Sequence, residues 1–441
     1  MQLISSPIHT LTGTVVLPGD KSLSHRAVLF ASLADGVSRI ENFLNAGVTD
    51  VLLTALTVLG VKITHSENTF TIYGCGIGGY IAPSIDLACG NSATTIRLLA
   101  GALAASGTPA VLDGSSGLRS RPMDRIVQPL QQMGVPISAS ETGSAPLHLA
   151  ERPGDRPLKA MEYTLPVASA QVKSCLLLAA LSADGDVTLR EPGPSRNHTE
   201  RLLGEMGAKV SCRQEDSQYV TVISPVFKLA PIIISIPGDM SSAAFLIVAA
   251  LIVPNTEVTI RCVGMNPTRT GLVDALRSMG ANITVRPTGV QCGEPVGDVT
   301  VCSSTLRATH ISGDLVVRMI DEFPVFAVAA AYAHGKTVVE NAGELRYKES
   351  DRIAALCTEL RAIGVKAAET PDGFIINGGR KPSGGSIEPH GDHRLAMALA
   401  VAGLGAKKPV IVPGAEYINE SFPGFVETLN NLGANFETSD G

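Results

Sequence analysis

The chain has 441 residues, of which 45% are hydrophobic, 17% charged and 4% aromatic, with no tryptophan; it is long enough for two or three domains and too apolar to be disordered. Thirty-five Lys and Arg against 41 Asp and Glu leave a net charge of -6. That balance excludes a generic polyanion binder, and the scarcity of aromatics argues against base stacking on single-stranded nucleic acid.

In chain order, the first strand-like run ends in the turn Pro18-Gly19-Asp20 and opens a helix at Lys21-Ser22-Leu23-Ser24-His25-Arg26. An amphipathic stretch, DVLLTALTVLG, follows and stops at Gly60. The same two phrases then recur. LACGNSATTIRLLAGALAASG predicts a helix beginning near Ala93, with Arg97 behind it; a glycine-rich loop, GLRSRPMDR, carries Arg119, Arg121 and Arg125 before a helix that stops at Gly134. LPVASAQVKSCLLLAALSADG places Ser169, Ala170 and Gln171 at a helix start, the PSRNHTER loop carries Arg196, and the next helix stops at Gly207. ISIPGDMSSAAFLIVAALIVP repeats the opening turn, followed by GLVDALRSMG ending at Gly280. Asp321 and Glu322 begin the apolar helix DEFPVFAVAAA; the segment ELRYKESDR holds Arg346, Lys348, Glu349, Asp351 and Arg352 ahead of a helix stopping at Gly364. IEPHGDHRLAMALAVAGLG brings His393 and Arg394, and the last amphipathic helix stops at Gly433.

The six stop glycines are 74, 73, 73, 84 and 69 residues apart, so the chain is a sixfold repeat. Each stop glycine fits a left-handed helix end, and Ser, Asn or Asp near each Ala-rich helix start can cap exposed amides. The repeats divide three and three. The shared PGD turns at 18–20 and 237–239 predict crossings between two similar domains, one spanning 20–236, the other 1–19 plus 238–441, with hinges at the crossings and a ligand cleft between the halves.

Helix starts offer free amides and a positive dipole. With Lys21 and Arg26 on one of them, an anion site is expected, although GxxxxGK[ST] is missing and a P-loop is excluded. The basic residues of the other repeats fall at equivalent turns, where guanidinium forks suit carboxylate and phosphate. A carboxylate such as Asp321 or Glu349 among these cations could shuttle protons, while Asp321 could equally cap its helix. The eight cysteines form no CxxC pair and the histidines no HExxH, so free thiols, no metal and a cytoplasmic location are expected. No signal-peptide pattern opens the chain, and the longest apolar run, Ala243–Val253, is too short to span a bilayer, so no membrane partner is expected.

LPGDKSLSHR, GNSATTIRLLAG, GLRSRPMDR, LPVASAQVKSCLLLA, SRNHTER, DEFPVFAVAAA, RYKESDR and GDHRLAMALA, in that order over essentially the whole chain, resemble the 5-enolpyruvylshikimate-3-phosphate synthases (3-phosphoshikimate 1-carboxyvinyltransferases). The resemblance implies a two-domain inside-out α/β barrel of six βαβαββ-like units, three per domain. It also implies a reaction without cofactor, in which the 5-hydroxyl of shikimate 3-phosphate attacks C2 of phosphoenolpyruvate as C3 is protonated, and the tetrahedral adduct loses phosphate. By motif, Lys21, Ser22, Arg26, Ser169, Ala170, Gln171, Arg196, Asp321 and Lys348 would bind shikimate 3-phosphate. Lys21, Ala93, Arg121, Gln171, Arg352 and Arg394 would bind phosphoenolpyruvate, with His393 assisting Arg394. Asp321, Glu349 and Lys21 would be catalytic, Asp321 taking the 5-hydroxyl proton and Glu349 exchanging the proton at C3. A monomer is expected, with these small molecules as its partners and no nucleic acid.

Three positions depart from the family's best-known pattern. Ala93 replaces a glycine, and its methyl should crowd glyphosate, which is longer than phosphoenolpyruvate; membership of the glyphosate-tolerant subgroup follows as an expectation. Glu420 stands where some members carry Lys, and Ala170 where some use Ser. Two alternatives stay beside this reading: the sister enolpyruvyl transferase acting on UDP-N-acetylglucosamine, whose reactive loop Cys is missing from Gly114–Arg121, and a non-catalytic anion sensor on the same fold.

Overall fold

The computed structural model describes residues 1–152 and 156–439. Two compact units divide the chain: one comprises Met1–Pro18, Pro237–Gly289 and Pro295–Gly441, the other Gly19–Ile236 with Val290–Glu294. Each has its own hydrophobic core, and the architecture is the α/β type with six repeats.

The repeats are visible as six four-stranded sheets among the described residues, three in each unit. One sheet shows the pattern. Leu87–Ala88 pairs in parallel with Ala110–Asp113, which pairs antiparallel with Leu147–Leu149, which in turn pairs with Ile137–Ser138. The parallel pair needs a crossover, and the helix Ala93–Ser106 supplies it. In two sheets that leading strand comes from elsewhere in the chain. Thr12–Val16 lies parallel to Glu257–Gly264 in the first unit, while Ile233–Ser235 lies parallel to Asp35–Glu41 in the second. Gln2–Ser5 is the inner strand of the sixth sheet, Leu3 facing both Val412 and Thr438.

Each unit is built around three central helices whose side chains are almost all buried. We number the six α1 (Lys21–Ser32), α2 (Ala93–Ser106), α3 (Ala170–Ala180), α4 (Met240–Ile252), α5 (Phe323–Tyr332) and α6 (His393–Leu404). A helix apolar all round belongs in the interior. Alanines and glycines let such helices approach closely: a Cβ on Gly101 of α2 would sit 2.3 Å from the Cys175 carbonyl oxygen of α3.

Five of the six starts are capped by the expected residue types. Asp20, Ser92, Ser169, Asp239 and Asp392 each accept a bond from a first-turn amide. Helix α5 is the exception: Glu322 holds the cap position and makes no side-chain cap bond. The six stop glycines, 60, 134, 207, 280, 364 and 433, all have φ between +86° and +105°, a conformation open to glycine but strained for other residues. GLRSRPMDR, read as a loop, overlaps the short helix Ser116–Arg119, which Ser115 caps at Leu118. No helix among the described residues is long and apolar enough to cross a membrane.

Candidate active site

In the second unit, three helix starts bring polar groups forward. Asp20 caps α1 through the Leu23 amide, so Lys21 and Ser22 stand on its first turn, partly exposed. Arg26, one turn on, is 2% exposed. Its Nε donates to Thr199 Oγ1 at 2.8 Å and its Nη2 to Ser174 Oγ at 2.8 Å. Burial, only partly offset by Glu200, pushes the guanidinium down to about 10, and neighbouring Arg196 adds to the fall. Two cations close enough to disfavour one another are what an anion would stabilise. Arg196 Nη1 lies 3.5 Å from Ser22 Oγ.

Gln171, the second residue of α3, ties this start to that of α2. Its Nε2 donates to Thr94 Oγ1 at 2.9 Å, and its Oε1 accepts from Arg97 Nη1 at 2.6 Å. Arg97 also reaches the Pro122 carbonyl at 3.0 Å, beside Arg121. Ala93 is the first residue of α2 and is 6% exposed. Ser169 caps α3 and Ala170 is its first residue, both partly exposed. His25 links the starts of α1 and α2: its ring nitrogens lie 2.7 Å from the Lys21 carbonyl oxygen, and 3.0 and 3.4 Å from the Val48 carbonyl and Ser92 hydroxyl oxygens.

The first unit holds the other set. The cap position of α5 belongs to Glu322, and Asp321 precedes it. Asp321 Oδ1 lies 3.4 Å from Lys348 Nζ and 3.5 Å from Arg352 Nη1, and its Oδ2 is 3.9 Å from Arg394 Nη2. The turn is further held by Arg394 Nη1, which donates to the Asp321 carbonyl at 3.2 Å. Glu349 accepts from Arg352 Nη2 at 2.7 Å. Arg352 is 1% exposed and spends its remaining bonds on Asp392, from Nε at 2.7 Å and Nη2 at 3.2 Å. Burial would discharge Arg352; Asp392, Glu349 and Asp321 outweigh it and hold the guanidinium above its ordinary value. Burial likewise opposes the charge of Asp392, and Arg352 overrides it, keeping that carboxyl below the usual range. His393 Nδ1 lies 3.7 Å from Glu420 Oε2, so this carboxylate approaches an imidazole.

Geometry thus gathers Lys21, Ser22, Arg26 and Arg196 in one group and links Gln171 to α2 near Ala93. It assembles Asp321, Lys348, Glu349, Arg352 and Arg394 in another. Sequence reasoning passed over Asp392, Thr199 and Ser174, which position the arginines. Asp392 had a signal: it occupies the helix-start position that Asp20 and Asp239 hold in two other repeats. Thr199 and Ser174 had none, since nothing local marks a partner 173 or 148 residues away.

The family model for EPSP synthase (3-phosphoshikimate 1-carboxyvinyltransferase) matches residues 5–429. A 3-phosphoshikimate 1-carboxyvinyltransferase of Herpetosiphon aurantiacus is 47% identical over 416 residues, covering 94% of this chain and 95% of that protein. One from Desulforudis audaxviator is 47% identical over 98% of this chain and 99% of its own. Among solved structures, EPSP synthase from Acinetobacter baumannii superposes with a TM-score of 0.88 at 40% identity, covering all of both chains. The enolpyruvyl transferase NikO of Streptomyces tendae, at 20% identity and TM-score 0.77 over 99% of this chain and 98% of its own, shares the fold.

Proposed function

The chain belongs to the EPSP synthase (3-phosphoshikimate 1-carboxyvinyltransferase) family and is an enzyme of that activity, and we propose that it carries out the transfer with the two residue sets described above and resists glyphosate. Lys21, Ser22, Arg26, Ser169, Ala170, Gln171 and Arg196 bind shikimate 3-phosphate in this reading. The lowering of Arg26 by its neighbour Arg196 supports a phosphate between or beside them. Phosphoenolpyruvate is held by Lys21, Ala93, Arg121, Gln171, Arg352 and Arg394.

The observation that carries the catalytic assignment is Asp321. A carboxylate that faces Lys348, Arg352 and Arg394 is set to accept the 5-hydroxyl proton, with Lys348 oriented beside the same ring. Glu349, held on Arg352 at 2.7 Å, exchanges the proton at C3 as the 5-oxygen bonds to C2. Fixed cations then stabilise the charge on the tetrahedral adduct and on the departing phosphate, without reorganising during the step. Lys21 shares the proton traffic and touches both substrates. The full-length relatives favour this acceptor over UDP-N-acetylglucosamine.

Glyphosate tolerance rests on Ala93. A methyl at the first position of α2, next to the Thr94 that Gln171 holds, takes volume that glycine would leave to the longer inhibitor. Phosphate release with both substrates, with and without glyphosate, tests both parts. Release is expected, with weak inhibition competitive against phosphoenolpyruvate. Ala93→Gly should tighten that inhibition at least about tenfold, the ~1.4 kcal/mol a buried methyl can contribute to discrimination. Tight inhibition of the unaltered enzyme, unchanged by Ala93→Gly, would overturn the tolerance reading and leave the activity standing. The protein is taken as cytoplasmic and as a monomer, and equilibrium sedimentation checks the monomer.

A further inference from the structure

Behind the anion-binding residues of the second unit lies an ionic cluster that the reaction does not use. Lys173, on the first turn of α3, is 3% exposed. Its Nζ lies 2.7 Å from Glu191 Oε2 and 2.8 Å from Glu200 Oε1, and donates to the Ser195 carbonyl at 3.5 Å. Ser195 Oγ in turn donates to Glu191 Oε2 at 3.0 Å. All four residues are at most 5% exposed.

Their places in the chain give the cluster meaning. Glu191 ends the strand Val187–Glu191, and Glu200 lies in the first turn of the helix His198–Glu205. Between them runs the loop that carries Arg196. One ammonium therefore touches the loop's entry, its middle and its exit. Next along α3, Ser174 pairs with Thr199 at 2.6 Å, and both accept from Arg26. Apolar residues replacing the whole cluster could fill this space at equal or better stability, because buried ions lose their hydration. They could not grip three separate segments in fixed directions, as an ammonium with three donors does.

We propose that Lys173, with Glu191, Glu200 and Ser195, is a positioning cage that sets the Arg196 loop against Ser22 and so determines affinity for the phosphate of shikimate 3-phosphate without touching it. The inference rests on the assignment of Arg196 and Arg26 to that substrate. Burial would discharge Lys173, but the two carboxylates outweigh it and hold the ammonium above its ordinary value. The cage also carries one more carboxylate than cation, and Glu200 is the main charge offsetting the burial of Arg26. Cage and anion site are thus electrostatically joined.

The test uses the full-length protein and its Ser195→Ala, Glu191→Gln and Lys173→Met variants, with shikimate 3-phosphate binding measured by calorimetry and turnover by phosphate release. Glu191→Gln and Lys173→Met should weaken binding about tenfold or more, and Ser195→Ala about threefold, since it loses a single bond. The KM for shikimate 3-phosphate should rise while the KM for phosphoenolpyruvate and kcat at saturation stay within about twofold. A cage that serves stability alone would lower the melting temperature and leave the dissociation constant where it was; that result in any folded variant overturns the inference. If Lys173→Met fails to fold, Ser195→Ala decides. Should the unaltered protein bind no shikimate 3-phosphate, the substrate assignment fails. The cage is then judged by amide exchange across 192–197, which must accelerate in Ser195→Ala and overturns the cage if it does not.

Discussion

His25 is 1% exposed and sits between cations, with backbone carbonyls at 2.7 and 3.0 Å. Burial, reinforced by Lys21 and Arg26, outweighs those carbonyls and pushes the imidazole down to about 4. An unfolded histidine titrates near ~6.5, so on acidification the unfolded chain takes up the proton first. The contribution is complete above about pH 6.5 and is lost as pH falls towards 4, to a limit on the order of 3 kcal/mol. Urea midpoints at pH 7 and pH 4.5 should therefore converge in His25→Asn compared with the unaltered protein; equal acid losses in both would refute the assignment. Asp392 gives a second residue-scale test. Asparagine keeps a capping oxygen for α6 but removes the charge facing Arg352. A loss of about 2–4 kcal/mol is expected from the unbalanced guanidinium, with a raised KM for phosphoenolpyruvate. A change below about 0.5 kcal/mol, the scale of an exposed pair, would show that Glu349 and Asp321 suffice. Of these features the cap was legible, because it is local. The Asp392–Arg352 pairing, 40 residues apart, was not.

Helix α2 shows how small residues act at the level of an element. Alanine at position 101 would gain about 1 kcal/mol of helix propensity over glycine. Its Cβ would also meet the Cys175 carbonyl oxygen at 2.3 Å and its carbon at 2.9 Å, and helix backbone cannot turn away as a flexible side chain can. Overpacking of this kind costs about 1–3 kcal/mol, so the clash prevails and Gly101→Ala should lower the melting temperature. An unchanged or higher melting temperature would mean that α2 and α3 separate at little cost. The Ala-rich pattern announced a buried helix, and the stop glycines announced the helix ends. Which glycine faces which carbonyl is a matter of register between two helices, and composition does not encode it.

At the scale of the molecule, the two units close differently. Residues 19–236 form one continuous stretch whose ends meet: a Cβ on Gly19 would touch Ile236 Cγ2 at 3.0 Å and Asn42 at the turn. That stretch contains all three of its sheets. The other unit depends on Gln2–Ser5 as an inner strand and on Thr12–Val16 beside Glu257–Gly264. Expressed alone, 19–236 should melt cooperatively in circular dichroism. A 237–441 fragment should not, since it strips Phe436–Ser439 of its one sheet partner and takes a neighbour from both Val410–Pro413 and Glu257–Gly264. Cooperative melting of the second fragment would show those strands to be dispensable.

Periodicity and punctuation alone determined the sixfold repeat, the helix ends and the positions of the basic turns, because each depends on residues within a few positions of one another. The motifs added the family. Tertiary structure decided what each charge does. Asp321 reads as a helix cap, but the cap position is Glu322, and Asp321 faces three cations drawn from two other segments. Lys173 reads as one more polar residue in an apolar helix, and it holds a loop begun 18 residues later. Local geometry sets where a helix starts. Only packing brings distant charges within 3 or 4 Å, where removal from water makes their partners decisive.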